Sequence, residues 1–204
     1  MKRLIVALMA LLAMTGVAEA KKKKPAAVAP APLYTAPPAV TPEDTLVIKL
    51  STGGVVRIQL RPDRAPGHVA RIKALARNNF YDGIIFHRVI EGFMAQTGDP
   101  KGTGEGGSSL PDLKAEFSEL PHLRGTVSMA RTDSPDSANS QFFICFQPTM
   151  KLDNHYSVFG RVISGMDAVE TIERGEPPAA PTKIVHAWIE ADGPNAPAMP
   201  LPTR

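Results

Sequence analysis

Between residues 44 and 190 the apolar residues fall in short runs separated by clusters of Gly, Pro, Asp and Ser. A chain punctuated this way builds short strands joined by turns, not the βαβ units of a parallel sheet. TLVIKL (45–50) and VVRIQL (55–60) alternate apolar and polar residues around Ser51-Thr52-Gly53-Gly54, which predicts a β-hairpin. Further runs at 84–90, 93–97, 126–130, 141–146 and 157–163 predict more short strands. Residues 184–190 alternate again, as a closing strand able to pair with the first. Two stretches switch to helical spacing. Pro66 suits a first helical turn, and Val69, Ile72, Leu75 and Ala76 follow at the right intervals until Asn78-Asn79. Met166, Val169 and Ile172 form a second, shorter stretch stopped by Gly175. The expectation is a mainly β barrel or sandwich carrying two helices.

The ends of the 204-residue chain read differently. Lys2 and Arg3 precede an uncharged, mostly apolar run over residues 4–18, and Ala18-Glu19-Ala20 supplies a small-x-small site. That order predicts a signal peptide spanning residues 1–20, and hence export, with a periplasm as the destination. The alternative is an uncleaved anchor, but the run is shorter than the ~20 apolar residues that span a bilayer. Residues 21–43 open with four lysines and hold six of the 20 prolines, and residues 192–204 hold four more. Both segments read as disordered linker and tail. The folded domain is assigned to residues 44–191.

Charge then narrows the function. The net charge of +3 comes from the N-terminal lysines and arginine, since residues 44–204 carry 17 cations against 18 anions. A near-neutral domain argues against nucleic-acid binding. The lone cysteine, Cys145, cannot form an internal disulfide, and inside FFICF it reads as a buried small hydrophobe. The five histidines lack paired ligand spacing, so no metal site is expected. Residues 102–107 contain G-x-G-x-x-G but open no helix, and read as a flexible loop. Ser128 and Ser140 lack a G-x-S-x-G elbow, which leaves covalent hydrolysis without a candidate triad.

What remains is FHRVIEGFMAQTGD over residues 86–99, in which Arg88 and Gln96 interrupt apolar residues. Facing solvent is one explanation for them. Taken with SQFFIC (140–145) and VFG (158–160), in this order and at these separations, the run closely resembles the cyclophilin family of peptidyl-prolyl isomerases. The resemblance spans about residues 45–190. It implies an eight-stranded antiparallel barrel capped by two α-helices, with a substrate groove on its outside. It also implies catalysis by Arg88 with Gln96, which contacts the substrate backbone. A proline pocket of Phe93, Met94, Phe143 and Leu152 follows from it, with Phe86, Ala130, Arg131, Gln141 and Tyr156 as further substrate-binding positions. The implied partners are proline-containing peptides and folding exported proteins, handled by a monomer. Arg131 stands where many members carry Asn, Lys151 where they carry a groove tryptophan, and Tyr156 where they carry a pocket histidine. The Lys151 change is expected to weaken binding of the cyclic peptide cyclosporin. A proline-binding module without turnover is the alternative function, and Arg88 favours the enzyme, because binding alone needs no donor aimed at the prolyl nitrogen.

Overall fold

A computed structural model describes residues 37–202. Eight strands form one antiparallel sheet in the order β3-β4-β6-β5-β7-β2-β1-β8. They are β1 (Thr45–Leu50), β2 (Val55–Leu60), β3 (Arg88–Ile90), β4 (Met94–Thr97), β5 (Thr126–Met129), β6 (Phe142–Cys145), β7 (Val158–Ser164) and β8 (Ile184–Ile189). The first and last strands are neighbours, with Leu46 opposite Ile189 and Ile48 opposite Ala187. The sheet curls into a half-barrel whose edges, β3 and β8, share no ladder. The chain before each edge closes the gap: Gly83 N–H donates to Ile184 O, Ile184 N–H to Ile84 O, and Phe86 N–H to Thr182 O, at 2.7–2.9 Å. Of the run at 84–90, only its last three residues are therefore strand.

Helix α1 (Pro66–Arg77) buries Val69, Ile72, Leu75 and Ala76, the residues its spacing marks. Its start is capped from far away. Ala65 offers no capping side chain, and the Glu116 carboxylate accepts from Gly67 N–H and His68 N–H at 3.0 Å and contacts His68 Nδ1 at 2.5 Å. Burial alone would raise the Glu116 carboxyl, but these bonds and the His68 side chain hold it below the ordinary range. Helix α2 (Met166–Glu170) is a short turn that buries Val169, with Ile172 buried just beyond it.

Two expectations change. Residues 38–43 and 192–202 pack onto the domain instead of leaving it. Pro38 O accepts Gln59 Nε2–H at 2.8 Å, and Lys73 pairs with Glu43 and Asp44. At the other end Arg77 pairs with Asp192 at 2.7 Å, Met199 N–H donates to Arg77 O, and Leu201 packs against the core. The proline-rich tail thus satisfies a carbonyl at the end of α1 and adds one apolar contact, neither of which needs a continuous apolar face. The remainder of the linker and tail, and the whole leader, lie outside the described residues. Secondly, residues 102–107 are organised around Asp99, whose carboxylate accepts N–H groups of Lys101, Thr103 and Gly104 at 2.6–2.8 Å. Burial would raise the Asp99 carboxyl, yet these backbone donors keep it low. A Cβ on Gly106 would stand 1.8 Å from the Asp99 carboxylate, so only glycine lets the loop wrap it.

Candidate active site

Side chains alternate across a strand, so the sheet sorts its residues by parity. Val89, Ala95, Val127, Met129, Phe142 and Ile144 face inward and join the main core. The residues between them face out. Arg88 lies opposite Gln96, Gln96 opposite Phe143 and Phe143 opposite Ser128, giving one row across β3, β4, β6 and β5. One step along the strands, Met94 lies opposite Ile90 and Cys145. A second apolar cluster forms on this outer face from Met94, Phe143, Cys145 and Leu152, backed by Ile90, Phe93, Ala130 and Tyr156. Cys145 is fully buried there, and burial pushes its thiol up to about 12, far from thiolate chemistry at neutral pH.

The cluster walls a pocket of about 130 Å³, the volume of about four liquid waters. Phe93, Met94, Ala130, Phe143, Leu152 and Tyr156 supply its apolar lining, and Arg88, Gln96 and Arg131 its polar edge. Phe143 is held by rings on two sides, stacked on His122 at 6.2 Å and edge-to-face with Tyr156 at 5.8 Å. Gln96 Nε2–H donates to Gln141 Oε1 at 2.9 Å, and Gln141 Nε2 donates to Gly104 O and Gly106 O. Among the described residues this relay leaves the Gln96 carbonyl oxygen without a hydrogen-bond partner, able to accept a peptide N–H. Gly98 permits it: with φ at +89°, a Cβ there would lie 2.4 Å from Ser140 O, pushing apart the strand ends that carry Gln96 and Gln141.

The structure brings together ten of the eleven site residues named from sequence. Gln141 joins through Gln96 and a neighbouring cavity. Phe86 does not join. It is fully buried in the barrel core, on the opposite side of the sheet from the pocket. Counting by twos from Arg88 puts Phe86 on the outer face, but the strand begins only at Arg88, and the backbone turns toward Thr182 before it.

Two features are invisible in the sequence. Arg88 Nε–H donates to the Glu176 carboxylate at 2.7 Å, 88 residues away. Among the described residues the two terminal nitrogens of Arg88 have no partner, so the fork is anchored at one edge and open at the other. Beneath Phe143, His122 contacts Asp153 through Nδ1 at 2.8 Å and Ser128 Oγ through Nε2 at 3.2 Å. Burial holds the His122 imidazole below its usual range, with Asp153 opposing. With Nδ1–H given to Asp153, Nε2 is the acceptor, and the single Ser128 proton is shared with Ser157 O at 3.0 Å. This is the order of a hydrolytic triad, but Ser128 and His122 are completely buried and no substrate carbonyl can reach them. They support the pocket wall.

A family model of the cyclophilin type peptidyl-prolyl cis-trans isomerases matches residues 45–189, the whole sheet. The chain belongs to the cyclophilin family. Relatives agree along most of the domain. This cyclophilin is 51% identical over 170 residues to a probable peptidyl-prolyl cis-trans isomerase of Brucella suis, covering 76% of this chain and 86% of the relative. It is 45% identical over 125 residues to peptidyl-prolyl cis-trans isomerase-like 3 of Gallus gallus, covering 59% and 77%. A solved cyclophilin from Hirschia baltica superposes with a TM-score of 0.70 at 32% identity, covering 75% of this chain and 76% of that one. One from Cryptosporidium parvum, solved in the presence of the dipeptide Ala-Pro, gives 0.66 at 30% identity, covering 71% and 98%. The protein is a peptidyl-prolyl cis-trans isomerase, an enzyme that acts on proline-containing peptides.

Proposed function

We propose that this cyclophilin assists the folding of exported proteins, with Arg88 and Gln96 carrying its catalysis. An X-Pro bond resists rotation by ~18–20 kcal/mol and exchanges over tens to hundreds of seconds. No bond is made or broken. As the peptide twists, the prolyl nitrogen becomes pyramidal and its lone pair localises, making it a better acceptor than in the planar state. The terminal N–H groups of Arg88, at the wall of the pocket that would hold the ring, favour that twisted state selectively. The free carbonyl of Gln96 holds the flanking peptide, so that one side of the bond rotates. A preorganised charged donor of this kind contributes about 2–4 kcal/mol, or roughly 10² to 10³ in rate. The observation that carries this reading is the open fork of Arg88 above the apolar pocket. An NMR exchange measurement on a short Ala-Pro peptide tests it: accelerated exchange is expected, and binding without acceleration would leave only a proline-binding module.

Export rests on Lys2, Arg3, the apolar run and Ala18-Glu19-Ala20. The reading is a leader over residues 1–20, removed to give a monomeric periplasmic enzyme. Mass spectrometry of the protein from its native host should find a mature chain beginning at Lys21. Full-length chain recovered in the membrane overturns it.

A further inference from the structure

The groove carries charges that prolyl rotation does not use. The charge of Arg88 is already matched by Glu176. Two other cations stand at the pocket without a carboxylate partner among the described residues. Arg131 lies over the Tyr156 ring, 4.5 Å from its centroid, and its nitrogens donate only to the carbonyl oxygens of Thr132, Asp133 and His155. Those carbonyls fix the guanidinium without neutralising it. Lys151, exposed on the 3-10 turn Met150–Leu152, holds its Nζ 5.4 Å from the centroid of the Phe93 ring.

Phe93, in the turn that precedes β4, and Gln96, on β4, both line the pocket, and three residues of extended chain span at most roughly 10 Å between them. Lys151 covers the Phe93 end. At the Gln96 end opens a second cavity of about 320 Å³ whose charged lining is Glu105, Asp112 and, on the side shared with the pocket, Arg131, two carboxylates against one guanidinium. Asp112 accepts from Asn139 Nδ2 at 2.9 Å, and neither carboxylate forms an ion pair among the described residues. An extended peptide seated with its proline in the pocket covers about three residues over that distance, so the side chains flanking the proline meet opposite charges.

Resting on the pocket as the prolyl site, we propose that this enzyme selects prolyl segments flanked by opposite charges, an acidic residue toward Lys151 and a basic residue toward Glu105 and Asp112. Two peptides of identical composition and net charge test it: acetyl-Ala-Glu-Pro-Lys-Ala-amide and acetyl-Ala-Lys-Pro-Glu-Ala-amide. Their kcat/KM values, from NMR exchange at about 20 mM salt, should differ at least about fivefold, and the ratio should shrink at about 0.5 M salt. Lys151→Glu and Glu105→Lys should each bring the ratio below about twofold. Equal turnover of the two peptides by the wild type overturns the proposal, as does a ratio that survives both substitutions. Acetyl-Ala-Ala-Pro-Ala-Ala-amide separates the two layers. If it is turned over while the charged pair stays equal, only the charge selection fails; if it is not turned over, the prolyl site itself fails and the selection with it.

Discussion

Phe142 and Phe143 are neighbours in sequence and lie on opposite faces of β6. Phe142 points into the half-barrel, edge-to-face with Tyr81 at 5.6 Å and Phe159 at 5.9 Å. Phe143 points outward, into the cluster that walls the pocket. Both are buried, so burial alone does not separate them. What separates them is the company each face keeps. The inner face meets only other core side chains. The outer face mixes Met94 and Phe143 with Arg88 and Gln96 in the same rows. One sheet thus serves as core on one side and carries the candidate active site on the other, and a shift of one residue exchanges the two roles.

Truncation of the inner ring should have the largest effect on stability. Phe142→Ala should cost about 3–5 kcal/mol in denaturant unfolding, while the folded fraction keeps most of its turnover. Phe143→Ala should cost less stability and lower kcat/KM by more than about tenfold, because its loss opens the pocket. Equal activity losses from the two variants would break the distinction between the faces.

The outer rim should tolerate exchange best, since Lys151 is exposed at the pocket edge. Lys151→Trp should strengthen cyclosporin inhibition by about tenfold, or ~1.4 kcal/mol, as a buried indole replaces a hydrated ammonium. Titration against a prolyl peptide would show it, and unchanged inhibition would mean that Lys151 does not face the inhibitor.

The smallest effect concerns the supports behind each face. Burial pushes the imidazoles of His87 and His122 down, and neither ring nitrogen of His87 has a partner among the described residues. Both histidines are therefore harder to protonate in the folded chain than in the unfolded one, where they bind protons below about pH 6.5. Their contribution is full above that pH and is lost as pH falls toward the lowered folded values. The urea midpoint should drop between pH 7.5 and 5, and His122→Gln should lessen the drop. A midpoint that stays level over this range would contradict the downward shift.

Alternation makes the strands legible in the amino-acid sequence, and most of the pocket becomes legible through the family resemblance carried by residues 86–99, 140–145 and 158–160. Arg88, Gln96 and Phe143 sit on one face because they share parity with apolar neighbours of recognisable order. Phe86, named with the pocket from the resemblance, lies just before β3, where the backbone turns toward Thr182, and its ring enters the core. Partners from distant segments leave no local trace. Nothing near Arg88 points to Glu176, nothing near Pro66 points to Glu116, and the buried Asp153–His122–Ser128 relay joins a loop, a turn and a strand. The proline-rich tail escapes a pattern-based reading for a related reason: it is held by a backbone bond, the Asp192 carboxylate and the single apolar contact of Leu201, which form no apolar period.

We propose that the outer face performs rotation through the open fork of Arg88. Arg88→Ala, measured by NMR exchange on an Ala-Pro peptide alongside urea unfolding, tests it directly. The exchange rate should fall by about 10² or more while stability stays within about 1 kcal/mol, because the half-exposed side chain leaves no core cavity. Wild-type turnover in the folded Arg88→Ala variant would contradict it.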